Sequence, residues 1–426
     1  MPLAYNGHEG AKLSLVQTNA GSEVANMSSK FSTVEAAIEA IARGEVIIVV
    51  DAEDRENEGD YICAAEMVTP EVVNFIIRGG GLVCVPLLPE ACERLKLEPM
   101  RRSNSRFGTA FTLPVDHRTV KTGITAQERA TTILALADAA SQPTDFFHGD
   151  GHVFPLVAKE GGVLRRAGHT EAAVDLVRLA GLKPAAVLCE VLDDTGNRAS
   201  HERLLEIAEE HGLKIISIEQ LIRQRRQREK LVYRQAEAEL PTKHGPGRII
   251  IYGVKYETQE PLAVIVGDLS RSEAPLVRMH SSCFTGDLLD SLRCDCGDQL
   301  HMALDMMSRD GGGVLVYLPQ EGRGIGLAEK IKAYGLQDQG LDTVEANLAL
   351  GHKADSRDYG VGIQILKDLG LSKVRLVTNN PKKLDAAVSG GFDLEVVDQV
   401  PIAAPVNEHN ASYLATKREK LGHRLP

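Results

Sequence analysis

The 426-residue chain contains no tryptophan and only 4% aromatic residues. Single-strand nucleic-acid binders stack bases on aromatic rings, so this scarcity argues against that class. No run approaches the roughly 18 consecutive apolar residues of a membrane helix, and the first residues lack the apolar core of a secretory signal. No membrane partner is expected, and the cytoplasm is the expected compartment. Basic charge is in deficit: 48 Lys and Arg against 59 Asp and Glu leave a net charge of −11. Non-specific nucleic-acid binding runs on phosphate neutralisation, so nucleic acid is not an expected partner. Cations gathered at one site remain compatible with a small anion. Cysteine is odd in number, seven in all, which is no disulfide framework. No repeat of solenoid period is visible.

What is present is ordinary globular material, 43% hydrophobic and 25% charged, long enough for two or three domains. Residues 1–30 show no period and read as a mobile extension. Ser32 and Glu35 have capping-box spacing, with Val34, Ala37, Ile38 and Ile41 at helical spacing behind them. Gly44 stops that helix, and Val46–Val50 is a short apolar run typical of a strand buried on both faces. Thr170–Ala180 reads as a helix closed by Gly181, then Ala185–Cys189 as another buried strand. The run from Arg223 to Glu239 is nearly all polar and reads as a solvated helix leading into a linker. Pro241–Gly247 breaks any helix. The segments Arg248–Tyr252, Leu262–Val266, Val314–Leu318 and Val374–Thr378 read as strands. The expected architecture is α/β (α+β), two domains of mixed sheet flanked by helices: residues 31–228, a linker at 229–246, and residues 247–426.

Three cysteines, Cys283, Cys294 and Cys296, form C-x10-C-x-C. In a reducing compartment such a trio is more often a metal site than a redox pair. A structural zinc takes four protein ligands, whereas a catalytic zinc leaves one position open to water, which then ionises near pH ~7. The only nearby histidines are His280 and His301; a closed site using either one stands beside the open, catalytic reading. Glu321–Gly326 follows a strand and precedes a helix near Leu327, and Thr378–Lys383 has the same arrangement. Glycines allow close backbone approach, and helix N-termini favour anions. Together these features suggest a metal plus a polyphosphate.

The segments Arg278–Asp287, Leu292–Leu300, Gln320–Leu327, Leu341–Asn347 and Thr378–Lys383 occur in one order and resemble GTP cyclohydrolase II from about Gly247 onward. The resemblance implies one zinc per chain on Cys283, Cys294 and Cys296. It implies a GTP pocket of Arg278, Met279, His280, Ser281, Ser282, Gln299, Glu321, Gly322, Arg323, Thr343, Thr378 and Lys383, with Mg²⁺ accompanying the triphosphate. Asp355 is the implied general base and Arg357 the implied nucleophile at the α-phosphorus. Ser282 departs from the family's usual Glu.

In the first half, Asp51–Asp60 follows a buried strand and carries six carboxylates. A solvated acidic loop is one reading; a hard-cation site, which prefers oxygen ligands, is the other. His169 and Thr170 open a helix, with Thr170 the expected N-cap and Arg166 just before it. Glu190 ends the next strand, where α/β sites commonly lie. The segments Glu53–Asp60, Gly151–Pro155, Gly168–Glu171 and Val187–Glu190 resemble 3,4-dihydroxy-2-butanone 4-phosphate synthase over about Phe31–Gln224. That implies two Mg²⁺ or Mn²⁺ ions on Glu56 and His169. It implies ribulose 5-phosphate held by Arg55, Glu56, Asp60, Arg166, Ala167, Gly168, His169, Thr170 and Glu190, with His152 and Glu190 catalytic. Departures from this family are Ala52, Gly149, Asp150 and the Gly79–Gly81 run. Both resemblances imply a homodimer. The expectation is a bifunctional enzyme of riboflavin-precursor synthesis. Two alternatives are a GTP cyclohydrolase II with a decayed first domain and a zinc-stabilised nucleic-acid-binding protein.

Overall fold

A computed structural model of the chain describes residues 31–53, 55–100, 108–352, 355, 357–381, 383, 384, 386 and 393–424. The extension expected over residues 1–30 lies outside them. The chain divides into two compact units, up to Leu221 and from Ile222.

The first unit is built on a mixed six-stranded sheet in the order β6-β3-β7-β2-β1-β8. Its strands are β1 Ile47–Val50, β2 Gly59–Ala64, β3 Cys84–Leu87, β6 Phe154–Val157, β7 Ala186–Glu190 and β8 Lys214–Ser217; β4 Val115–His117 and β5 Phe146–His148 pair separately. Every residue of β1 is buried, because successive side chains alternate between faces that are both covered. Ile48 and Val50 join a core with Tyr61, Cys63, Ile76 and Ile133. The first helix, Val34–Ala42, is capped by Thr33, whose hydroxyl accepts from Ala36 N. The capping box expected at Ser32 and Glu35 is therefore not formed; Thr33 stands one residue closer and takes the orphan donor. Helix His169–Leu179 starts from Gly168, not Thr170, and no side chain caps it.

The second unit holds a seven-stranded sheet, β15-β14-β12-β13-β11-β10-β9. Its strands are β9 Val232–Glu239, β10 Gly247–Val254, β11 Leu262–Gly267, β12 Leu276–Ser281, β13 Gly312–Leu318, β14 Lys373–Val377 and β15 Glu395–Val400. The four central strands β11, β13, β12 and β14 bury Ile265, Val316, Val277 and Leu376. Helix Cys296–Arg309 seats Ala303 and Met307 against Leu276 and Leu315. Both units are thus mixed sheets with flanking helices, as expected from the alternating pattern.

The expected linker at 229–246 is not one. Val232–Glu239 pairs antiparallel with β10 as the edge of the second sheet. Only Val232 of that strand is buried; edge strands carry charges that discourage further pairing, and those charges masked the strand in the sequence. Nor is the preceding basic run simply a solvated face. Helix Ile218–Arg228 contains Arg225, which is buried and ion-paired to Glu229 at 2.6 Å.

Candidate active sites

In the second unit, β12 ends in Ser281, and Cys283 follows at the mouth of the sheet. One turn of π-helix, Phe284–Leu288, then returns the chain so that Cys294 and Cys296 meet Cys283. The three Sγ atoms all lie within 4.8 Å of one another. Cys283 and Cys294 are 3.7 Å apart, close to the ~3.8 Å that two ~2.3 Å bonds to a tetrahedral zinc subtend. A Cβ at Gly286 would lie 2.8 Å from Cys294 Sγ and 3.1 Å from Cys283 Sγ, so that glycine keeps the cradle open. The donor set and the cradle fit zinc. All seven cysteines are free. Without a cation, hydrogen bonds from Cys294 and then Cys296 pull the Cys283 thiol far down, and the proton-sharing pushes Cys294 up to about 11.

Among the described residues no histidine joins the trio. His280 has its Nε2 committed to both Asp287 oxygens at 3.1 Å and its ring stacked on Tyr317. Asp287 also accepts from Tyr317 and from Cys283 N, so it fastens the histidine in place. His301 stacks on His244, whose Nδ1 pairs with Asp305 at 2.6 Å.

The sulfurs line one wall of a solvent-open cleft. Of the expected GTP residues, Arg278, His280, Ser281, Ser282, Gln299, Glu321, Gly322, Arg323, Thr343, Thr378 and Lys383 line it, as does Arg357. Met279 does not: it is 1% exposed and points off the other face of β12 towards Gly362. Only its carbonyl serves, accepting from Lys383 Nζ at 2.6 Å. Asp355 does not line the cleft either; it grips Arg357 through both oxygens, at 2.9 and 2.8 Å. Burial alone would lower the Arg357 pKa, but the Asp355 bonds outweigh it and hold the guanidinium charged.

The cleft concentrates cations in an otherwise acidic chain. Lys383 is pulled well below its usual range by burial and by Arg278, Arg357 and Lys417. Gly322 and Arg323 both adopt left-handed backbone, φ 61° and 64°, a strain of about 1–3 kcal/mol for the arginine. Both Nη atoms of Arg323 are buried with no hydrogen-bond partner. Strain and orphaned donors at one cation mark a place built for an anion.

Several cleft residues were not expected from the sequence. Lys330 places Nζ 3.1 Å from Cys283 Sγ, 3.0 Å from Thr285 and 2.7 Å from Glu321. Arg293, Tyr334, Tyr413, Lys417 and His423 also line the wall. Only the helical spacing of Lys330 behind the Gly-rich turn hinted at its position.

In the first unit, Asp51 closes β1 and organises the acidic loop. Its oxygens accept from Arg55 at 2.8 Å, Glu56 N at 3.0 Å and Glu58 N at 2.9 Å. Glu58, Asp60 and His169 offer ligand atoms within 4.8 Å of one another. Glu56, the expected ligand, stands outside this trio and pairs with Arg55 at 2.6 Å. His169 donates from Nε2 to Val49 O at 3.0 Å, turning Nδ1 towards Asp60 at 3.9 Å. A metal-binding histidine typically fixes its other nitrogen in this way. Burial, reinforced by Glu190 and Glu58, lifts the Asp60 carboxyl well above its usual range, and Oδ1 has no partner. Burial, then Glu56, pushes Glu58 up to about 8. These crowded carboxylates, Asp60 buried and Glu58 half-buried, fit a hard divalent cation.

Asp60 and Glu190 stand opposite each other on β2 and β7, and Glu190 also accepts from Leu82 N at 3.0 Å. His152 Nδ1 lies 2.8 Å from Asp116, an orienting residue not expected from the sequence. Arg166 bridges Glu171 at 2.6 Å and Thr109 at 2.9 Å. Beside it, Gly168, His169 and Thr170 form the uncapped helix start.

The chain thus carries two separate sites of enzyme type, one a buried acidic cluster with a histidine and the other a thiolate trio in a cation-lined cleft. A family profile for 3,4-dihydroxy-2-butanone 4-phosphate synthase matches residues 35–224, and one for GTP cyclohydrolase II matches residues 233–401. The riboflavin biosynthesis protein RibBA of Bacillus mycoides is 54% identical over 397 residues, 93% of this chain and 99% of its own. That of Bacillus cytotoxicus is 52% identical over the same shares. Among solved structures, RibBX, a two-domain 3,4-dihydroxy-2-butanone 4-phosphate synthase from A. baumannii, is similar with a TM-score of 0.67 at 36% identity, covering 88% of this chain and 100% of that one. The chain belongs to the RibBA family of bifunctional riboflavin biosynthesis proteins, a lyase domain followed by a hydrolase domain. This favours the bifunctional reading over the decayed-domain and nucleic-acid-binding alternatives. No described helix is long and apolar enough to cross a membrane.

Proposed function

We propose that the cleft of the second unit takes GTP and the acidic site of the first takes ribulose 5-phosphate, with the residue roles that follow. The observation that carries the reading is the histidine-free sulfur trio in a cation-lined cleft of a chain with net charge −11.

In the second unit Cys283, Cys294 and Cys296 would hold one zinc, which would supply Lewis-acid activation of water for attack at the guanine carbon that leaves as formate. Arg278, Lys383 and the unpartnered Nη groups of Arg323 offset the triphosphate charge and align it, with Mg²⁺ accompanying the phosphates. Gln299, Glu321 and Thr343 orient the nucleotide. Arg357 attacks the α-phosphorus, its P–N bond forming as the P–O bond to diphosphate breaks, and water then cleaves the P–N bond to release the nucleoside monophosphate unit. The Arg357 guanidinium must lose a proton to attack, and Asp355, bonded at 2.8 and 2.9 Å, is the acceptor.

In the first unit Glu58, Asp60 and His169 would hold divalent ions, Mg²⁺ or Mn²⁺, two in number, with Glu56 beside them as a further ligand. Bound there, such ions would supply Lewis-acid polarisation of the ketose carbonyl. The phosphate binds Arg166 and the free N–H groups at the start of helix His169–Leu179. Glu190 and the Asp116-oriented His152 move protons during the rearrangement that expels formate.

Purified protein should contain one zinc per chain, lost in Cys294→Ser. GTP with Mg²⁺ should yield formate and diphosphate together; GTP consumption without formate overturns the ring-opening role. Ribulose 5-phosphate with Mg²⁺ should give a second formate; no turnover there removes the role of the first site. The protein is expected to be cytoplasmic and to sediment as a homodimer.

A further inference from the structure

The profile that matches the second unit ends at residue 401, yet the segment beyond it reaches into the nucleotide cleft. Helix Ala411–Glu419 brings Tyr413 and Lys417 to the wall, and the turn after it brings His423. Polar contacts hold this helix in place. Asn410, fully buried at its start, donates to Pro405 O at 3.1 Å. Lys420 pairs with Glu345 at 2.8 Å, and Arg424 N donates to Asn379 O at 3.0 Å.

The contact that matters most is Lys417. Its Nζ lies 2.5 Å from Oδ1 of Asp295, the 1% exposed residue between Cys294 and Cys296. The other carboxylate oxygen accepts from Gln299 Nε2 at 2.7 Å. Gln299 Oε1 accepts from Arg278 Nη2 at 2.5 Å, and Arg278 Nη1 donates to Val377 O at 3.0 Å. An ionised carboxylate only accepts hydrogen bonds. Asp295 therefore obliges Gln299 to present its amide N–H₂ on one side and its carbonyl to Arg278 on the other. Remove Lys417, and Asp295 loses the contact that fixes its carboxylate, so the Gln299 amide and the Arg278 fork lose their fixed orientation.

We propose that Lys417 is a positioning residue of the nucleotide cleft, acting through Asp295 on Gln299 and Arg278. This rests on the GTP reading of the cleft. Its test is a double-mutant cycle of Lys417→Met and Asp295→Asn, with Lys417→Arg as the conservative variant. Steady-state GTP turnover and the Kd of a non-hydrolysable GTP analogue are measured, and ribulose 5-phosphate turnover in the same chain controls for folding. Lys417→Met should lower kcat/KM for GTP roughly 10²-fold, the usual cost of misplacing aligned groups, and weaken analogue binding. Lys417→Arg should restore most of both, and the double variant should fall no further than the worse single one. Should Lys417→Met not fold, Lys417→Gln, which also removes the charge, takes its place in the same cycle with Asp295→Asn. Multiplying losses, or an arginine variant no better than methionine, overturns the role. An unmodified chain inert towards GTP overturns the reading of the cleft and this role with it. An active unmodified chain with an indifferent Lys417→Met overturns this role alone.

Discussion

Replacing Gly286 by alanine tests whether the sulfur trio is a metal cradle. Gly286 does not need left-handed backbone, so the substitution acts through space alone. The added methyl would sit 2.8 Å from Cys294 Sγ, 3.1 Å from Cys283 Sγ and 3.1 Å from Cys296 Cβ. Non-bonded heavy atoms rest at about 3.5–4.0 Å, so two sulfurs must retreat by roughly 0.5–1 Å. A metal site tolerates errors of only about ±0.2 Å in its ligand distances. The 3.7 Å Cys283–Cys294 spacing, now near the ideal for zinc, cannot survive that displacement. Even changes one shell out from a metal cost about 10–100-fold in affinity, so Gly286→Ala should weaken zinc by at least roughly 10²-fold. Equilibrium competition against a chelator measures the loss, and formate release from GTP should fall with it. Ribulose 5-phosphate turnover, a property of the first unit, should be unchanged. A Gly286→Ala protein that keeps its zinc against chelator and releases formate at the parent rate would refute the cradle.

Lys330→Met removes an ammonium 3.1 Å from Cys283 Sγ and should cost about 10-fold in zinc affinity, read by the same competition, with Lys330→Arg intermediate. Asp116→Asn keeps the size of the group that orients His152 but removes its charge; ribulose 5-phosphate kcat should fall by roughly 10²-fold while GTP turnover stays constant. His423 is held down to about 3 by burial and by Lys417, Arg357 and Lys383, against an ordinary 6.5. Its folded pKa is depressed, so the unfolded chain takes the proton first as pH falls. The stability it contributes is complete above about 6.5 and is lost as pH drops towards about 3. Thermal unfolding of the chain should therefore be acid-sensitive in that window, less so in His423→Gln; an unchanged pH profile in the variant argues against the effect.

Local chemistry was legible wherever one short segment carries it. The Cys283–Cys296 spacing, the Glu321–Gly326 turn between strand and helix, and the acidic run after β1 each announce themselves because neighbours in the chain are neighbours in the site. Partners recruited from afar were not legible. Lys330 reaches Cys283 from the helix Leu327–Gln337, and Asp116 reaches His152 from β4. Met279 was expected in the pocket because it lies between Arg278 and His280; strand alternation turns it to the opposite face. Glu58 rather than Glu56 meets Asp60 and His169, a matter of loop path that charge content does not reveal. Strand β9 was missed because an edge strand needs little apolar character.

The sequence alone determined that this chain makes two mixed α/β domains, that three thiolates cluster in the second and that carboxylates cluster in the first. Those are consequences of hydrophobic period and of residue spacing, which are local quantities. Only the tertiary structure decided that the sulfur trio has no histidine among the described residues. Asp287 and the His244–His301 stack occupy the two candidate rings with contacts that no spacing rule contains. It also decided that a helix more than 110 residues beyond the last cysteine supplies Lys417 to the carboxylate between Cys294 and Cys296, because such pairings are settled by which elements the sheet order brings side by side.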